Sequence, residues 1–154
     1  MRAISLWSDE RGNSFVEMAL MAPVLATLLM GTVDISQAVS TKVQLEQAAQ
    51  RAMELAQIRS YSSASALKTA VQNEATNAAG TGSSATASAW AECDHSSTQI
   101  DYDTGECSAG QIYSRYVSVT VQGSYTPLFG TSLFSNANAD GTVTVKGYAA
   151  LRME

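Results

Sequence analysis

An apolar run near the start of the chain limits the possible folds more than any other feature. From Phe15 to Val33 the only charged residue is Glu17. A helix that crosses a bilayer takes about 20 apolar residues, and this run just reaches that length. The lead-in, MRAISLWSDERG, is polar and carries Arg2, Asp9, Glu10 and Arg11; the chain turns polar again at Asp34. One reading is a cleaved secretory signal, which needs a basic start, a short apolar core and a small-residue cleavage site. Ser36-Gln37-Ala38 supplies such a site and would release a secreted adhesin starting at Val39. Against it, the run is long and the lead-in holds two acids. A second reading is an uncut signal anchor that keeps Met1 and holds Arg2 and Arg11 inside. Its outer part would be a binding protein.

The third reading is a type IV pilin signal, and it makes a sharper demand. A leader ending in glycine is cut on the cytoplasmic face, and the apolar helix stays on the mature protein. Cutting between Gly12 and Asn13 makes Glu17 the fifth residue of the mature chain. A carboxylate entering an apolar run is costly and marks a functional position by default. In pilin assembly this Glu pairs with the free α-amino group of a neighbouring subunit, so two buried charges compensate and the axial register is set.

Arg11 to Leu25, RGNSFVEMALMAPVL, resembles the start of the TadE-like family, which is similar to pilins and belongs to tight-adherence (Tad/Flp) pilus systems. The matching positions are Gly12, Glu17, Met18, Ala19, Leu20 and Pro23. Met18 departs from the family's frequent Phe. Asp34-Ile35-Ser36-Gln37 matches the acidic residue and small polar stretch that follow the run, and the ending AALRME is similar to the family's last strand. The resemblance implies a minor pilin or pseudopilin that acts in surface adhesion and biofilm formation. It also implies a prepilin peptidase, other Tad pilins and the assembly platform as partners. The place implied is the bacterial inner membrane, in a single pass with the C-terminal part outside, or the pilus itself.

Helical pattern continues past the membrane-length run. Ser40 to Arg59 has no Gly or Pro, and Ala38, Leu45 and Ala52 recur every seven residues. Ala49, Met53 and Ala56 share roughly that side, giving a small-residue seam. The seam is expected to pack against the protein's own sheet rather than form a separate coiled coil. Its small residues also permit close helix approach in a membrane. Lys42 and Glu46 sit at helical neighbour spacing. Pro23 removes a backbone donor and is expected to kink the helix. The expected organisation is a leader over 1–12, a long helix over 13–60 with its membrane part at 15–33, and a globular part over 61–154.

YSSAS at 61–65 reads as a break and cap before a second helix over 66–79, ended by GTGSS. Strands are expected at 85–93, 112–125 and 142–151; alternation is clearest at Val117, Val119 and Val121. Between the last two lies an apolar loop that either caps the core or dips to the membrane surface. Leu128, Phe129, Leu133 and Phe134 read there as core or cover. The expected fold class is α+β: a long N-terminal helix, a short second helix and a small antiparallel sheet of about three strands.

Cys93 and Cys107 enclose the segment DHSSTQIDYDTGE. Outside the cytoplasm the two are expected to form a disulfide; redox-active pairs usually have C-x-x-C spacing instead. The enclosed loop, 94–106, holds Asp94, His95, Asp101, Asp103 and Glu106. It fails the D-x-[DN]-x-[DN]-G calcium pattern because Gly105 stands where the third ligand belongs, so it reads as a solvated acidic loop. One His and two Cys exclude most zinc sites. A net charge of -5 with nine scattered Lys and Arg gives no basic stripe for nucleic acid. No nucleophile motif, phosphate loop or HExxH occurs. The reading is therefore not an enzyme, with no cofactor and no metal.

Overall fold

The computed structural model describes residues 13–94, 96, 98–130, 134 and 137–153. The leader with Gly12, and also His95, Leu133 and Glu154, lie outside the described residues. The element order is α1 (Asn13–Ile58), α2 (Ala64–Ala79), β1 (Ser84–Cys93), β2 (Tyr113–Tyr125) and β3 (Val143–Met153). The fold is α+β, with a long N-terminal apolar helix, a short second helix and a three-stranded antiparallel sheet in the order β1-β2-β3.

α1 has 46 residues and runs through Pro23. At 1.5 Å per residue its length is about 69 Å. The proline ring cannot donate to the carbonyl of Ala19, one turn earlier. α1 has two environments along that length. From Phe15 to Val33 its large apolar side chains are exposed, while the stripe Leu45, Ala48, Ala49, Ala52, Met53 and Ala56 is buried. The expected seam therefore faces the protein's own core, which also contains Leu67, Val71 and Ala75 of α2 and Val117, Val119 and Val121 of β2. Each large aliphatic side chain taken out of water contributes about 1.5–3 kcal/mol.

Small residues set how closely the layers approach. β3 crosses α1 at Gly147, where a Cβ would lie 2.6 Å from the Glu46 backbone nitrogen and would also strike the Leu45 carbonyl. On the same face of β3, Val143 is buried and Val145 half-buried, so the alternation read from the sequence holds. Lys42 pairs with Glu46 at 2.9 Å and also donates to the Lys146 carbonyl at 3.3 Å, linking α1 to β3.

α2 begins two residues earlier than expected because its cap is Ser63, whose Oγ accepts from the Ala66 N–H at 3.3 Å. A second acceptor comes from far along the chain. Both carboxylate oxygens of Asp103 take the Ala64 N–H, at 2.9 and 3.1 Å. α2 ends at Gly80, whose φ of 86° only glycine adopts readily.

Candidate functional site

The candidate surface begins with the bare half of α1. Phe15, Met18, Leu20, Leu25, Leu28 and Leu29 are all more than half exposed. An 18-residue apolar window of this helix is only 6% buried, and the helix is long and apolar enough to cross a membrane. Two of its hydroxyls are satisfied from within. The Thr27 hydroxyl donates to the Val24 carbonyl and the Thr32 hydroxyl to the Leu29 carbonyl, both at 2.8 Å. Such back-bonding lets a hydroxyl sit on an apolar helix without a water partner. Glu17 lies on the first turns of this half and is exposed. Asn13 is the first residue of α1.

Where the apolar run ends, the globular part closes on α1 through one side chain. Asp34 is fully buried. Its carboxylate accepts the Leu128 N–H at 2.8 Å and the Phe129 N–H at 3.1 Å. Two hydrogen bonds from adjacent peptide groups offset the cost of burying the carboxylate. Pro127 is buried beside the clamp, whereas Leu128 and Phe129 are 61% and 50% exposed. Leu128 and Phe129 thus do not fill the core, as core or cover would require: their backbones cover Asp34 and their side chains are exposed. Phe134 is half-buried and meets the Tyr125 ring edge-on at 5.7 Å. Burial, aided by the nearby Asp34 carboxylate, pushes the Tyr125 hydroxyl above its ordinary value.

Above this clamp, a groove of about 820 Å³ runs between α1 and the sheet. Ala38, Val39 and Lys42 line one side, and Phe134, Val143 and Val145 the other. Val39 is exposed along it.

At the far end, Cys93 and Cys107 form a disulfide with Cα atoms 5.6 Å apart. The acidic loop they close is tied down by its own carboxylates. Asp94 accepts the Ile112 N–H at 2.8 Å, and Asp103 caps α2. Asp101 accepts from the Thr104 N–H at 2.8 Å, from the Thr104 hydroxyl at 2.8 Å and from the Asp103 N–H at 3.0 Å. The Thr104 N–H, its hydroxyl and the Asp103 N–H hold the Asp101 carboxyl below its ordinary value of 3.8. Arg115 lies 5.0 Å from the Tyr102 ring centre and 5.3 Å from that of Tyr113, which seats the loop on the sheet. Opening the disulfide by Cys93→Ser with Cys107→Ser is expected to lower stability by about 3 kcal/mol, the loop-entropy value for this span. A urea titration of the full chain in detergent, with and without reductant, measures it.

Sequence reasoning missed the partners of Asp34 and Asp103. Both acids are visible in the sequence, but nothing local says that one reaches a loop 94 residues away or that the other caps a helix 39 residues earlier.

No curated protein and no solved structure matches the chain. A family model, described as TadE-like protein, matches residues 12–53. That span holds Gly12, Glu17, Pro23, Asp34 and most of the small-residue seam, so the similarity to the TadE-like family lies in the N-terminal segment.

Proposed function

We propose that this protein is a structural component of a Tad-type pilus, a minor pilin or pseudopilin rather than an enzyme. A prepilin peptidase cuts it between Gly12 and Asn13. The Asn13 amine and Glu17 then pair with neighbouring subunits as α1 enters a bundle of pilin helices. The inner membrane holds the precursor with its globular part outside, and the assembly platform and other Tad pilins receive the processed subunit. Surface adhesion and biofilm formation follow as the use of the fibre.

One observation carries this reading. The TadE-like match and the bare, apolar half of α1 coincide, with Glu17 at its start. Nearly all of that half is unburied in the isolated chain, so its stable state needs lipid or other helices around it. Release after Ala38 fits less well. It would divide α1 in its middle and remove Asp34, the acceptor that holds the β2–β3 loop.

The intact mass of the protein from cells with its own secretion machinery tests the proposal. Loss of residues 1–12, leaving a chain that starts at Asn13, supports it. A mature chain that keeps Met1 leaves an anchored binding protein instead, and one starting at Val39 a secreted adhesin. Glu17→Ala is expected to lower incorporation into fibres by roughly tenfold or more, because the neighbour's amine loses its buried partner. Quantitative immunoblotting of sheared pili reads this, and parental incorporation would rule out the charge pairing.

A further inference from the structure

We infer that Leu128 and Phe129, at the tip of the β2–β3 loop, form a lipid-docking element through which the globular part rests on the membrane surface. The inference rests on the reading of α1 as a membrane helix. Three observations support it. First, the Asp34 clamp places the Leu128 and Phe129 backbones beside the first residue after the apolar run. The run Phe15–Val33 spans about 28 Å as a helix, close to the thickness of a hydrocarbon core. The loop therefore sits at the headgroup boundary. Second, the described globular part ends there. Gly31 lies one turn before Asp34 on the same side of α1, and nothing stands within 4 Å of where its Cβ would be. The loop is the part of the globular fold nearest the bare helix.

Third, the chemistry of the segment suits lipid. From Tyr116 to Ala139 the chain has no Asp, Glu, Lys or Arg. At the tip of the loop the two large side chains, Leu128 and Phe129, are exposed while Pro127 is turned in. The loop's leading N–H groups are occupied by Asp34, so the tip approaches an apolar phase without those two donors unpaired. An aromatic and an aliphatic side chain at a tip without charged residues enter the region between headgroups and acyl chains, with Asp140 set back just before β3. Val33 and Ile35, the neighbours of Asp34 in the chain, are exposed too. The occupant is lipid, not a second subunit.

Depth-resolved fluorescence quenching tests this on the full chain, reconstituted at low density into phosphatidylcholine vesicles. The acyl chains are brominated either near the headgroup or deep in the bilayer. Trp7 and Trp90 are replaced by Phe, and a single probe is introduced as Phe129→Trp or, for reference, as Leu25→Trp. The inference expects Phe129→Trp to lose roughly half its emission or more with shallow bromines and less with deep ones, as an interfacial side chain does. Leu25→Trp should be quenched by the deep bromines. If Leu25→Trp is quenched and Phe129→Trp is not, the docking inference is overturned while the membrane helix stands; a loop that meets another subunit gives this same result. If neither is quenched, the membrane reading of α1 fails and the docking inference fails with it.

Discussion

Gly147→Val is expected to be the most damaging single change in the fold, lowering stability by about 3 kcal/mol or preventing folding. The cause is geometric. A Cβ at this position would meet the Leu45 carbonyl and the Glu46 nitrogen, which are backbone atoms of a continuous helix. Neither can rotate away, so β3 would have to lift off α1 and uncover Leu45 and Val145. Gly123 supplies the comparison. There a Cβ would lie 3.3 Å from the Leu45 Cδ2, the end of a flexible side chain. Gly123→Ala should cost less than about 1 kcal/mol, since a small rotation of Leu45 relieves it. Chemical denaturation of both variants in detergent measures the contrast; equal midpoints would show that β3 does not lie against the helix backbone.

Asp34→Ala should lower stability by about 2–3 kcal/mol and release the β2–β3 loop. Two N–H groups lose a charged acceptor, and each such hydrogen bond is worth about 1.5–3 kcal/mol before the loop reopens to water. Reopening recovers part of the loss, so the estimate stays below the full sum. Asp34→Asn keeps one carbonyl acceptor but turns a donor toward the other N–H, and should fall between parent and Ala. Hydrogen exchange gives the local reading. The Leu128 and Phe129 amides should exchange faster in Asp34→Ala, while those of Val117 and Val119 at the centre of β2 hardly change. Unaltered protection at Leu128 would show that the carboxylate does not hold the loop.

The α1 helix, the α2 helix and the three strands were readable because each follows a hydrophobic period over several turns or pleats. Val117, Val119 and Val121 alternate, and Leu45, Ala49, Ala52 and Ala56 recur at helical spacing. The error at the start of α2 came from capping. Ser63 and Asp103 pull the start of α2 back to Ala64, and half of that cap lies in a loop distant in sequence. The apolar run and Glu17 were likewise plain, since both are local patterns. The clamp was not. An acid that follows an apolar run looks like the return to water, and only the tertiary structure shows Asp34 buried under a loop from the other end of the chain. The side chains of Leu128 and Phe129 were misread for the same reason. Hydrophobicity suggests an interior position, but their backbones, not their side chains, face the protein.

The unbroken course of α1 has a mechanical consequence. The segment bearing Leu45, Ala49, Ala52 and Ala56 is the floor of the sheet, and it continues through Asp34 into the bare apolar half. Between Pro23 and the sheet the helix is continuous, so axial displacement of that segment is handed to the sheet. Each residue drawn out of a bilayer raises the sheet by about 1.5 Å, and withdrawal of the whole run moves it about 28 Å. A force applied to either end works on a single piston, whose first resistance would be the Leu128–Phe129 foot leaving the surface.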